Sequence, residues 1–132
     1  MNELAQVFRA LSDPSRLRIL GLLLHAGELC VCDIERVMAC TQTKVSRHLA
    51  YLKRMGLVDD RRKGLWMLYS IANPTTRERK LLMGSLQALL QAHPVVRTDA
   101  RRLGRNVQRG CCATVSLLKT TIPTLPLEVN QN

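Results

Sequence analysis

The chain has 132 residues, 46% of them hydrophobic but only 3% aromatic, and a formal net charge of +10. That length suits one domain with a modest core, filled here by aliphatic side chains. The charge points to a polyanionic partner. A membrane is not expected as that partner, because no apolar run approaches the roughly eighteen residues that a spanning helix needs. Met1 to Ala5 lacks a basic stretch followed by an apolar one, so no signal peptide is expected and the cytoplasm is the expected compartment. There the five cysteines stand as reduced thiols rather than disulfide staples.

Leu4, Val7, Phe8 and Leu11 fall at helical spacing, which predicts a short first helix over residues 3–11 with an apolar stripe in need of a partner. Asp13-Pro14 reads as a capping carboxylate followed by proline at the first helical position. The second helix continues to about His25. Leu17, Leu20, Leu23 and Leu24 make it the central core helix, and Gly27 closes it. A third helix is expected from Cys30 or Val31 to about Met38, with Ile34 and Val37 facing inward. Thr41 can cap a fourth helix, from Gln42 to about Met55, with Gly56 as its stop. Val45, Leu49 and Leu52 form its buried stripe, leaving Thr43, Lys44, Arg47, Tyr51 and Arg54 on the other side. The short join between the third and fourth helices fits a helix-turn-helix.

Residues 57–62 and 65–71 read as two strands around Lys63-Gly64, a wing whose basic turn carries Arg61, Arg62 and Lys63. Asn73-Pro74 is expected to start a fifth helix that runs to about Ala92 and carries Leu81, Leu82, Leu86, Leu89 and Leu90. Its apolar surface is large for a peripheral helix, and with the first helix it can build a two-fold interface. Pro94 is expected to end it. The rest lacks strong periodicity, although Arg101, Arg105 and Arg109 would share one face if helical. The expected fold is mainly α with a small β-hairpin. It is a winged helix-turn-helix domain over residues 1–92, a homodimer through its first and last helices. A basic, flexible tail over residues 93–132 carries Cys111-Cys112.

Two constellations carry chemistry. The first is Cys30-Val31-Cys32, because paired thiolates select soft ions. Side chains two apart on a regular helix project about 200° from each other, so chelation by this pair is expected to require the start of the third helix to be irregular or to unwind. The second is the polar, basic start of the fourth helix, which suits base edges and phosphates.

The assembled pattern resembles the ArsR/SmtB family of metal-responsive winged-helix repressors. The matching pieces are Leu11-Ser-Asp-Pro-Ser-Arg-Leu-Arg-Ile-Leu20, Glu28-Leu-Cys-Val-Cys-Asp33, Ser46-Arg-His-Leu49, Gly56-Leu57 and the strand from Gly64 to Tyr69, in order over roughly residues 3–92. The resemblance implies a homodimer that binds palindromic double-stranded operator DNA and dissociates when a metal or metalloid binds. The box at Glu28 to Asp33 is similar to that of the arsenic-responsive branch, which implies trivalent arsenic or antimony as inducer and no required cofactor. It is also similar to that of the cadmium/lead branch, but that branch uses cysteines nearer the N-terminus and none precedes Cys30.

By position, Gln42, Thr43, Lys44, Ser46, Arg47 and His48 become the DNA-reading residues, with Arg61, Arg62 and Lys63 on phosphate; His48 can equally be a packing residue. The metalloid ligands would be Cys30 and Cys32. The arsenic branch often has a third cysteine three residues later, where this chain has Glu35. A third thiolate would come from Cys40, at the far end of the third helix, or from Cys111 and Cys112. A zinc-type site on the last helix is not expected, since residues 75–92 offer only Glu78 as a ligand. A thiol-oxidation sensor on the same fold and a constitutive architectural DNA binder are alternatives. An enzyme is not expected, because a small thiol oxidoreductase would want a Cys-x-x-Cys and a strand-rich order that the chain lacks.

Overall fold

A computed structural model of the chain describes residues 1–109. Helix α1 spans Asn2–Leu11 and α2 spans Pro14–Ala26. Asp13 caps α2, accepting the Arg16 backbone N–H at 3.1 Å, and Pro14 is its first residue. Burial pushes the Asp13 carboxyl up, but the Arg16 N–H and guanidinium hold it below its ordinary value. Gly27 ends α2 at φ +88°, in the left-handed region that glycine alone adopts without strain. As expected, α2 is the central helix: Ile19, Leu20, Leu22 and Leu23 are all buried.

A short strand, β1 (Glu28–Cys30), follows directly and leads into α3 (Val31–Met38). Residues 39–41 turn the chain into α4 (Gln42–Arg54), whose cap is Thr41, accepting the Lys44 N–H at 3.3 Å. The hairpin is β2 (Val58–Lys63) and β3 (Trp66–Ile71), turning at Gly64. The sequence reading foresaw these two strands but not β1. It completes an antiparallel sheet of order β1-β3-β2, in which Glu28 pairs with Ser70 and Cys30 with Leu68. Three residues are too few to show an alternating pattern; the strand exists because β3 offers its free edge.

Helix α5 spans Arg77–Ala92. Its cap is Thr76, which accepts the Arg79 N–H at 3.1 Å, so the start expected at Asn73-Pro74 moves three residues on. A hydroxyl two to three residues from the first free N–H groups is the better acceptor for them. The chain does not become a tail at residue 93. Pro94 opens a sixth helix, α6 (Pro94–Arg109), and takes the first-turn position where its missing N–H is harmless. Val96 and Leu103 of α6 are buried, and so is Asp99. Arg18 of α2 donates from Nε and Nη2 to the Asp99 carboxylate at 2.9 and 2.8 Å. The domain boundary expected at 92 therefore falls inside the folded unit.

One aliphatic cluster joins all six helices, from Val7 and Ala10 to Val96 and Leu103. Four of the large apolar residues left exposed lie on two helices: Leu4 and Phe8 of α1 are 47% and 53% exposed, and Leu81 and Leu89 of α5 are 65% and 69% exposed. The others are Met1, Leu65 and Trp66 of the wing, and Val95 of α6.

Candidate thiol site and nucleic-acid interface

Cys30 and Cys32 come together without any unwinding of α3. Cys30 is not in the helix: it ends β1 with φ −88° and ψ 166° and serves as the residue before the first helical turn. Its extended backbone swings its side chain back over that turn, and the two Sγ atoms lie 2.6 Å apart. The expectation that the pair needs an irregular or unwound start of α3 gives way to a simpler arrangement. The helix begins at Val31, the later of the two starts the sequence allows, and Cys30 stands outside it.

The same geometry recruits Asp33. A residue just before a helix and the residue three beyond it face each other, as in a capping box. The Asp33 Oδ2 lies 3.7 Å from the Cys30 Sγ. Among the described residues, Cys30, Cys32 and Asp33 form a group whose ligand atoms all lie within 4.8 Å of one another. Cys30 and Asp33 are buried and Cys32 is half-buried. Two thiols and a carboxylate converging in a largely buried group fit a thiophilic ion. The thiols supply soft donors and the carboxylate a hard oxygen donor. Asp33 is not among the ligands expected from the sequence; its place three residues after a Cys that ends a strand is the available signal. Cys40 is not brought to this group. It follows the left-handed Ala39 (φ 52°) and packs against the hydrophobic cluster at the other end of α3. Glu35 lies further along α3 and is not part of the group. Cys111 and Cys112 lie outside the described residues.

The thiol group touches both elements of the helix-turn-helix wing. Through α3 it is joined to α4 by the turn at residues 39–41, and through β1 it is hydrogen-bonded to β3, the inner strand of the wing. Thus two short covalent or hydrogen-bonded links, rather than one, run from the thiols to the surface that carries the basic side chains.

On that surface Gln42, Thr43, Lys44 and Arg47 are exposed at the start of α4, with Ser46 and His48 half-buried behind them. His48 sits against α2, its Nδ1 3.4 Å from the Arg16 Nη1. That makes it partly a packing residue. Arg16 was missed in the sequence. Its Nε donates to the Ala10 carbonyl at 2.7 Å, and its guanidinium lies 4.2 Å from the Tyr51 ring centre. One side chain thus closes α1 and braces α4. At the other end of α4, Arg79 of α5 donates from Nη2 to the Met55 carbonyl at 2.9 Å. In the wing, Arg62 and Lys63 project into solvent, whereas Arg61 is already engaged: Glu28 of β1 accepts from its Nε and Nη2 at 2.6 and 2.8 Å. Lys53 of α4 pairs with Asp60 of β2 at 2.9 Å, which ties helix to wing.

Residues 13–60, from the cap of α2 to the first wing strand, match the family described as bacterial regulatory protein, arsR family. The arsenic resistance transcriptional regulator ArsR2 of Pseudomonas putida is 42% identical over 84 residues, covering 62% of this chain and 72% of that protein. The chain belongs to the ArsR family. Other ArsR relatives include the arsenical resistance operon repressor of Escherichia coli, 46% identical over 67 residues, covering 51% of this chain and 57% of that protein. The cadmium resistance regulatory protein CadC of Listeria innocua is 42% identical over 66 residues, covering 50% of this chain and 56% of that protein. With those two relatives, then, the matched stretch spans little more than half their length. Among solved structures, a homodimeric winged helix-turn-helix DNA-binding domain from Mycobacterium bovis is 33% identical with a TM-score of 0.57, covering 70% of this chain and 82% of that one. Reduced HlyU from Vibrio cholerae is 30% identical with a TM-score of 0.56, covering 67% and 88%. Architecture and family thus agree: a mainly helical winged helix-turn-helix of the ArsR family. No helix among the described residues is long and apolar enough to cross a membrane.

Proposed function

We propose that the protein is a repressor of the arsenical-resistance kind. It binds operator DNA as a homodimer through the start of α4 and the wing, and it lets go when trivalent arsenic or antimony is held by Cys30 and Cys32. The observation that carries this reading is the meeting of the two thiols with Asp33 at the joint between β1 and α3. The dimer would form through the apolar residues left exposed on α1 and α5. Gln42, Thr43, Lys44, Ser46 and Arg47 would face the major groove, with Arg62 and Lys63 on phosphate. Arg61 would have to leave Glu28 to join them, a small cost for an exposed ion pair.

Release then works by a shift between two conformations. The ion prefers the arrangement of thiols that binds it best, and DNA prefers the arrangement of α4 and wing that fits its grooves. Each therefore weakens the other by the same factor. In this chain the shift passes through β1 to β3 as well as through α3 to α4, with no helix required to melt. Asp33 would hold the open side of the ion, in place of the third thiolate that Glu35 does not supply. Cys111 and Cys112 remain candidates for that role.

Asp33 also supports a second reading, because a carboxylate beside two thiols suits divalent cadmium, and cadmium regulators stand among the relatives. One titration separates the readings. Operator-bound protein is titrated with arsenite, antimonite and cadmium, as wild type and as Cys30→Ser, Cys32→Ser, Cys40→Ser and Asp33→Asn. The arsenic reading expects arsenite to release DNA from wild type and Cys40→Ser but not from Cys30→Ser or Cys32→Ser, with Asp33→Asn shifted to higher arsenite. A normal response by Cys30→Ser would sink it, and release by cadmium alone would favour the second reading.

A further inference from the structure

The six-helix core accounts for the inner face of α6 but not for its outer one. Arg97, Arg101, Arg102 and Arg105 are all exposed along this helix, and its one acid, Asp99, is buried against Arg18. Arg97, Arg101 and Arg105 stand four residues apart, so they form a ladder on one face, where like charges repel and weaken an isolated helix. Within the ladder, Arg101 donates to the Thr98 hydroxyl at 3.2 Å, a neutral partner that leaves its charge uncompensated. Set against its own copy across a two-fold axis, such a face would meet an equal row of cations, so self-pairing of the ladder is disfavoured.

The direction of α6 says where the ladder leads. Val96 packs on Gly21, and three residues later Asp99 meets Arg18, so α6 runs antiparallel to α2 toward its beginning. There Arg16 meets His48 and Tyr51 of α4. Arg102 reaches the carbonyl of Val37, in the last turn of α3 just before the turn of the helix-turn-helix. The C-terminal half of α6 therefore lies beside the last turn of α3, which leads into the turn before α4.

We propose that the outer face of α6 is a second phosphate-binding surface, with Arg101 and Arg105 gripping the DNA backbone beside the groove that α4 enters. This rests on the reading of the protein as a DNA binder and adds a contact beyond the matched family segment, which ends at residue 60. Phosphates would remove the repulsion along the ladder, and the contact would carry no sequence information of its own.

The test is the salt dependence of binding to a mixed-sequence duplex of about 30 base pairs, followed by fluorescence anisotropy. Each phosphate contact contributes about 0.9 to the slope of log affinity against log salt, so Arg101→Gln/Arg105→Gln should lower the slope by about 1.8 for each bound protomer. Between about 50 and 200 mM salt, wild type would then lose roughly tenfold more affinity per protomer than the variant. Arg101→Lys/Arg105→Lys should keep the wild-type slope, and Arg97→Gln, one turn further from the helix-turn-helix, should change it by less than half as much as the double glutamine variant. Circular dichroism checks that α6 remains helical in each variant. An unchanged slope and affinity in the double glutamine variant would overturn the proposal and leave the DNA-binding reading intact. Binding by wild type that ignores salt would overturn both.

Discussion

The buried pair between Arg18 and Asp99 makes α6 part of the domain, and Asp99→Ala measures how firmly. The Asp99 side chain is 1% exposed and accepts two hydrogen bonds from Arg18, with Arg102 at 3.9 Å as a second cation. Removing the carboxylate leaves the Arg18 guanidinium without its partner. Breaking a buried pair from one side costs about 3–5 kcal/mol. Arg18 is 27% exposed, so water reaches it in the variant and the lower end, about 3 kcal/mol, applies. For a domain of this size that lowers the melting temperature by more than about 10 °C. The measurement is thermal unfolding followed by circular dichroism, with all variants at one protein concentration because dimerisation couples to stability. Replacing both partners by apolar residues, in Arg18→Met/Asp99→Leu, should recover most of the loss, since no buried charge is then left alone. An Asp99→Ala variant that melts within about 3 °C of wild type would refute the argument that this pair anchors α6.

Gly21 offers a check on the same interface. A Cβ there would lie 2.8 Å from both methyl carbons of Val96, so Gly21→Ala should destabilise by about 1–3 kcal/mol, less the propensity gain of up to about 1 kcal/mol. In a Val96→Ala background the same substitution should become neutral or stabilising in a thermal melt. Thr41→Ala removes the acceptor for the Lys44 N–H and should cost about 1 kcal/mol, together with a measurable loss of duplex affinity because α4 frays at the end that carries Gln42 to Arg47. Asp13 has a lowered pKa in the fold, so its contribution is fully present above the unfolded value of about 3.9 and is lost as pH falls through the lower folded value. The melting gap between wild type and Asp13→Asn should therefore narrow as pH drops from about 6 toward 3; a gap that widens would contradict the assignment.

The first four helices were readable because local signals agree with the tertiary result. Asp13-Pro14, Thr41 and Gly27 mark ends that depend only on nearby backbone groups, and the structure puts the caps and the left-handed residue at those positions. The helix-turn-helix was legible for the same reason. Leu81 and Leu89 were legible as apolar surface beyond what a peripheral helix needs to bury, and both are exposed. The thiol site was half legible. The sequence singles out Cys30 and Cys32, but their convergence depends on where α3 begins.

From the sequence by itself follow the family pattern, five of the six described helices, the hairpin and the exposed basic residues of α4 and the wing, because each is written in periodicity, caps and charge within about twenty residues. Tertiary structure decided three further things. It made Glu28–Cys30 a strand, since only the edge of β3, some forty residues away, can satisfy its hydrogen bonds. That strand put Cys30 outside α3 and so brought both thiols to Asp33. And it made α6 a core helix, because what secures it is not an apolar stripe but a buried carboxylate whose partner, Arg18, lies 81 residues earlier in the chain. Such a pairing leaves no trace in local periodicity.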